Sequence, residues 1–300
     1  NHYSEMVAWG LKARVALAMQ DYNNAAVYAG KSISLAEAGG HRLMTGSQLN
    51  CGFANITTDT KEAMYAAMTP DDKTVYFYSY YAYMSWNFNS SAIRQGVKCI
   101  NVDAYETMSE TDLRRAWWDP TGEASVPSSS YAKNAYQNRK FTARSTADAV
   151  GDVAFMRLAE MYLTQAEALA RAGKDSEAQA VFTKFQITRD PSYVSKGNIG
   201  DALAEEIMNS RRVELWGEGF RFYDLKRTGM LKDNSYLEAE AKSTTGKYAG
   251  FGIVSLSPMK VLGNSKVVAR GYDAALSVDT NLEINGGTIK AISKESNGIY

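Results

Sequence analysis

The sequence predicts a mainly α-helical protein, built on paired antiparallel helices and interrupted by one long irregular insertion. Three observations carry that prediction. Apolar residues recur at three- and four-residue spacing over residues 4–37 and again over 152–191, the spacing that lines one face of a helix. Each stretch breaks once at a short turn, Gln20-Asp21-Tyr22 in the first and Gly173-Lys174-Asp175 in the second, so each reads as a helical hairpin. Between them, residues 40–150 hold no sustained period.

In the first hairpin Ser4 supplies the hydroxyl of an N-cap. Val7, Ala8, Leu11, Val15 and Leu17 follow along one side. Ala25, Ala26, Tyr28, Ala29 and Ile33 carry the second helix to a stop at Gly39 and Gly40. Trp9, Ala13, Tyr22 and Ala25 fall close to the offsets of a tetratricopeptide repeat, where small residues let antiparallel helices approach. The second hairpin has Leu158, Tyr162, Ala166 and Leu169, then Ala178, Phe182 and Phe185, and ends at Asp190-Pro191. The two hairpins are too far apart in the chain to be tandem repeats.

Within the insertion, Thr74 to Asn89 reads TVYFYSYYAYMSWNFN. Its alternation is incomplete, so a half-buried strand is not secured. Within Asn101 to Pro120, Ser109 or Thr111 is able to cap a helix, and Pro120 to Ser130 reads as a loop rich in Gly, Ser and Pro. A third helical stretch, about 201–228, places Leu203, Ile207 and Met208 on one face. Glu205 and Glu206 come early in it, where the helix dipole favours negative charge. Residues 243–300 turn to Gly, Ser, Asn and Thr, with short β-like runs at Gly252–Leu256 and Lys266–Ala269. The whole chain, 1–300, reads as a single domain: tetratricopeptide-like hairpins, a large irregular insertion and short β segments near the C-terminus.

Residues 211–227, RRVELWGEGFRFYDLKR, interleave charged and apolar residues that an ordinary surface helix would segregate. On a helix, Arg211, Glu214, Glu218, Arg221, Asp224 and Arg227 form a ladder at i,i+3 and i,i+4 spacing. Two readings stand: a solvated salt-bridge face, or a partly buried ion network clamping the segment to its neighbours. Gly217 and Gly219 favour the second, because each glycine costs about 1 kcal/mol in a helix interior and signals a break or a close backbone approach.

Composition excludes several classes. Lys plus Arg equals Asp plus Glu at 33 each, so no basic excess points to nucleic acid. Cys51 and Cys99 can pair or remain as buried thiols. The only histidines, His2 and His41, lie near no second ligand, so no zinc site is expected. No cofactor loop appears, and no run of about 18 apolar residues spans a membrane. The chain starts at Asn1 with no leader, as a fragment or processed chain would.

RRVELWGEGFRFYDLKR resembles the C-terminal signature of the SusD/RagB family, the surface nutrient-binding lipoproteins of Bacteroidetes outer membranes. MRLAEMYLTQAEAL (Met156 to Leu169) resembles the same family's Arg-Leu-Ala-Glu helix, in the expected order. The stretch from Asn101 to Pro120 is similar to a further helix of that family. One departure is Ser210, where the family usually has Glu. The resemblance implies capture of extracellular oligosaccharide or polysaccharide and its delivery to a TonB-dependent, SusC-like transporter. It also implies a place on the extracellular face of the outer membrane, reached through an N-terminal lipid anchor that this chain does not contain. Family members bind different glycans, and some bind peptides.

No residues propose turnover. Glu214 and Glu218 have the spacing of a glycosidase pair, but neighbouring arginines would lower both pKa values, where one partner must be raised. No G-x-S-x-G elbow and no Cys–His pair is present. Binding is better supported, because a sugar offers an apolar C–H face for an aromatic ring and a hydroxyl rim for amides and guanidinium groups. Tyr76, Tyr78, Tyr81, Tyr83 and Trp86, with Asn87, Asn89 and Arg94, supply that mixture; Trp117 and Trp118 offer a second patch. The competing reading of these rings is core. The alternatives to glycan binding are a peptide-binding member of the same family and a helical scaffold with no small ligand.

Overall fold

Both expected hairpins form in a computed structural model of the protein. It describes residues 4–70, 79–88, 90, 96–127, 131 and 133–230, and the strand segments 236–240, 251–255, 259–271, 274–278 and 282–293. Helix α1 (Glu5–Ala18) turns at Gln20 into α2 (Tyr22–Ala38). The Asp21 carboxylate accepts from the Asn24 amide at 3.3 Å and caps α2. Ser4 sits at the N-cap of α1, but its hydroxyl makes no capping bond. Ala13, Ala25, Ala29 and Ala36 are fully buried where the helices meet. A Cβ at Gly10 would lie 2.4 Å from the Met156 sulfur, so that side chain would have to shift to admit one.

The chain then leaves the hairpin through the short helix α3 (Ile56–Asp59) and strand β1 (Ala63–Ala67). It returns on β4 (Val153–Arg157) after α4 (Tyr80–Met84), α5 (Val102–Tyr105), β2 (Trp118–Asp119) and β3 (Gln137–Asn138). Strands β1 and β4 pair antiparallel, with Ala66 opposite Ala154 and Ala67 opposite Val153. This ladder brings the ends of the excursion together and hands the chain to α6 (Leu158–Arg171), α7 (Asp175–Gln186) and α8 (Gly200–Glu214). Helix α6 is buried along nearly its whole length, with α1, α2, α7 and α8 against it.

The insertion builds a core of its own around Phe53, Tyr81, Trp117, Trp118 and Phe141. Its expected helix over Asn101–Pro120 is replaced by the one-turn α5, a 3-10 turn at Leu113–Trp117 and strand β2. Asn101 caps α5, its side chain accepting from the Ala104 amide at 3.3 Å. Ser109 and Thr111 do not cap; both hydroxyls donate instead to Asp190, at 2.5 and 2.7 Å. That distant carboxylate outcompetes the local helix.

The chain divides into two compact units, residues 1–221 and 222–300. The second unit begins within α9 (Arg221–Arg227), where Asp224 and Arg227 pair at 2.8 Å. Its strands β5 (Tyr236–Glu240), β6 (Phe251–Ser255), β7 (Met259–Gly271), β8 (Ala274–Val278) and β9 (Leu282–Ser293) pair in parallel, in the orders β5-β7-β9 and β6-β8. Phe251 pairs with Ala274 and Met259 with Leu282, each 23 residues on, so successive coils of chain lie in register. Val267 stacks over Ile289 and Ala269 over Ala291. The expected short runs are therefore strands of up to 13 residues, stabilised by coil-on-coil pairing that no local pattern encodes.

Candidate functional site

Helix α8 ends at Glu214, and Gly217 and Gly219, at φ 80° and 88°, reverse the chain. This bend turns Glu214 and Glu218 inward. Arg157, at the end of β4, lies 2.8 Å from Glu214 and 2.7 Å from Glu218, and also contacts Glu62. Arg189, just beyond α7, holds Glu214 at 3.0 Å and Glu62 at 2.8 Å. From the insertion, Lys140 reaches Glu218 at 2.7 Å, while Arg114 pairs with Asp112 at 2.7 Å and approaches Glu214 at 3.4 Å. All of these groups are buried except Glu218, which is nearly so.

Buried charges persist only when paired and hydrogen-bonded, and here Glu62, Glu214 and Glu218 each meet more than one cation. Burial alone would push the Glu214 carboxyl up, but Arg189 and Arg157 overcome it and hold it well below the usual carboxylate range. Glu218 is lowered in the same way, burial being outweighed by Arg157 and Lys140. Burial depresses the Lys140 ammonium to about 8, with Glu218 opposing. Neither carboxyl can serve as the raised-pKa acid of a glycosidase pair. The network clamps the insertion onto the hairpins. Of the ladder expected along one helix edge, Asp224–Arg227 forms at 2.8 Å, while Arg211 donates to Thr164 at 3.2 Å and its guanidinium lies over the Phe220 ring.

The clamp holds the aromatic segment against the insertion core. Ser79 caps α4 by accepting from the Ala82 amide at 3.0 Å. The one turn of α4 points Tyr81 inward and Tyr83 outward. Tyr81 is 1% exposed and donates to the Asp152 carbonyl at 3.0 Å, whereas Tyr83 is 44% exposed. Trp86 is half-buried; its indole N–H donates to Thr142 Oγ1 at 2.9 Å, and the Arg139 guanidinium sits 4.1 Å from its ring centre. The Asn87 amide is buried and exchanges hydrogen bonds with Ala143 at 2.8 and 2.9 Å.

Trp117 and Trp118 lie in the core, 1% and 3% exposed, and offer no face for stacking. Trp117 donates to the Leu49 carbonyl at 2.6 Å and meets Phe53 edge to face. Tyr76, Tyr78, Asn89 and Arg94 lie outside the described residues. Among the described candidates, Tyr83 and Trp86 reach the surface, while Tyr81, Asn87, Trp117 and Trp118 hold the interior together. Cys51 and Cys99 are both free, and burial pushes the Cys99 thiol up to about 11.

A cleft that the sequence reading missed opens between residues 106–114 and helices α7 and α8, with a volume of about 520 Å³. Asp190 pins one wall through Ser109 and Thr111. Glu206 pins the other, accepting from the Tyr193 hydroxyl at 3.2 Å and the Asn198 amide at 2.8 Å. The one sequence signal was Glu205 and Asn209, polar at i,i+4 on α8. Among the described residues no group of His, Cys, Asp and Glu is arranged to hold a metal ion, and no helix is long and apolar enough to cross a membrane.

The SusD family model matches residues 13–261. A SusD-like protein of Formosa agariphila is 34% identical over 85 residues, 26% of this chain and 17% of that protein. A SusD-like carbohydrate binding protein from Bacteroides vulgatus superposes with a TM-score of 0.61 at 26% identity, over 75% of this chain and 45% of its own. A SusD homolog from Bacteroides thetaiotaomicron gives 0.55 at 25% identity, over 77% and 52%. The surface glycan-binding protein A from Bacteroides fluxus shares the fold, at 0.54 and 23% identity over 76% and 53%. This chain spans about half the length of these solved structures.

Proposed function

The chain belongs to the SusD family, and from that premise we propose that it binds extracellular oligosaccharide or polysaccharide without transforming it and delivers it to a TonB-dependent, SusC-like outer-membrane transporter. It acts on the extracellular face of the outer membrane. The supporting observation is exposed Tyr83, three residues before Trp86, whose indole edge is fixed by Thr142 and whose ring carries the Arg139 guanidinium over it. A ring fixed in this way loses little freedom when a sugar stacks on it. Tyr76, Tyr78, Asn89 and Arg94 stand as candidates on the sequence alone. The named relatives point the same way: one is a carbohydrate binding protein and another a surface glycan-binding protein.

Isothermal titration against a panel of neutral and acidic oligosaccharides tests the reading, with Tyr83→Ala and Trp86→Ala as variants. Binding of at least one glycan, weakened in both variants, is expected. Binding of peptides and of no glycan would move the assignment to a peptide-binding member of the family.

A further inference from the structure

The cleft between residues 106–114 and helices α7 and α8 is a preformed cavity whose free groups share one chemistry. Its volume of about 520 Å³ is in the range of small-ligand sites and holds on the order of one or two sugar rings. Its floor carries no available positive charge. The Arg114 guanidinium is consumed by Asp112 at 2.7 and 3.0 Å, by Ser210 at 3.1 Å and by Glu214 at 3.4 Å. Ser210 in turn donates to Gln186 at 2.8 Å. On the rim, the Lys196 ammonium lies 3.8 Å from Glu206.

Among the described residues, three lining side chains make no hydrogen bond or ion pair: Glu106, Glu205 and Asn209. They offer two carboxylates and an amide to whatever enters. Five carboxylates line the cleft against two cations, so its potential is negative. A uronate or sulfated sugar would meet like charge and lose its hydration without repayment. A ligand carrying an ammonium and several hydroxyls would find an ion pair for the first and acceptors for the rest.

We propose that this cleft is a second binding site, separate from the Tyr83–Trp86 surface, and that it takes a hexosamine unit with a free ammonium group. The assignment rests on the glycan-binding reading and narrows it. Glu205 and Glu106 pair with the ammonium, and Asn209 takes ring hydroxyls. The Asp190 and Glu206 anchors keep the walls apart, so the cavity exists before the ligand arrives.

The test is titration calorimetry with glucosamine oligomers and their fully N-acetylated counterparts. It uses the wild-type chain, the double variant Glu106→Gln/Glu205→Gln and Trp86→Ala. Both replaced carboxylates are exposed, so the double variant should fold normally. The free-amine oligomer should bind roughly tenfold or more tightly than the acetylated one, as one charged hydrogen bond implies. That preference should vanish in the double variant, persist in Trp86→Ala and weaken with added salt. Equal affinity for the two oligomers, or a preference that survives the double substitution, would overturn the assignment. Equal binding of a lysine tripeptide would overturn its sugar specificity. If neutral glycans bind but the amine adds nothing, only this inference fails; if no saccharide binds, the glycan reading fails with it.

Discussion

Arg157 and Glu214 lie 2.8 Å apart with almost no exposure to water, and each has further partners in Glu218, Glu62 and Arg189. Removing one member of such a pair leaves the other buried and uncompensated, at a cost of about 3–5 kcal/mol. Arg157→Ala and Glu214→Ala should therefore each lower the midpoint of urea unfolding by that equivalent. The exposed pair Lys184–Glu37 should contribute less than about 1 kcal/mol. Equal effects at the two places would mean that the network does not clamp the insertion.

Acid should unfold the first unit through the same groups. Glu214 and Glu218 are held below their ordinary value of 4.5, so the folded state binds fewer protons than the unfolded one as pH drops. Their stabilisation is fully present above that ordinary value and is lost as pH falls through their folded pKa values. Thermal melts at stepped pH should show a steep fall in melting temperature below about pH 4.5, shallower in Glu218→Gln. A profile flat to pH 3 would contradict the pairing.

Lys140 is shifted in the same direction, but in its case burial works against the charged form and prevails. Its ammonium is depressed from 10.5 to about 8, so between those values the unfolded chain carries the proton and the folded one does not. Stability from this group rises as pH climbs from about 8 to 10.5. The stability difference between wild type and Lys140→Met, measured across that interval, should grow in favour of the wild type. A difference that stays constant would show that Lys140 titrates normally.

Gly217→Ala should destabilise by about 1–3 kcal/mol through backbone strain alone. The position has φ 80°, and a Cβ there would lie 2.6 Å from the Phe141 ring. Gly219→Ala has the same φ penalty but no neighbour within 4 Å, so it should cost less. Denaturation of the two variants side by side checks the order.

The hairpins were legible because helix period, turn and stop are local signals. The 211–227 segment was legible in part. Interleaved charge with Gly217 and Gly219 favoured a partly buried ion network over a solvated face, yet the pairing cations, Arg157, Arg189 and Lys140, lie far from it in sequence. Residue type did not separate Tyr81 from Tyr83: they stand two positions apart on a single helical turn that sends one ring inward and the other out. Trp117 and Trp118 were hidden as core because Phe53 and Phe141, which enclose them, come from remote parts of the insertion. The cleft joins three segments and the C-terminal strands pair one coil apart, so neither leaves a continuous pattern.

The measurement closest to the central claim is glycan titration of Trp86→Ala beside Trp117→Ala, each with its unfolding midpoint. Trp86→Ala should keep most of its stability and lose about fivefold or more in glycan affinity, taking about 1–3 kcal/mol for one stacked ring as in base stacking. Trp117→Ala should lose about 3–5 kcal/mol of stability; the folded fraction that remains should bind as the wild type does. Full glycan affinity in Trp86→Ala, or loss of affinity in a fully folded Trp117→Ala, would contradict the account.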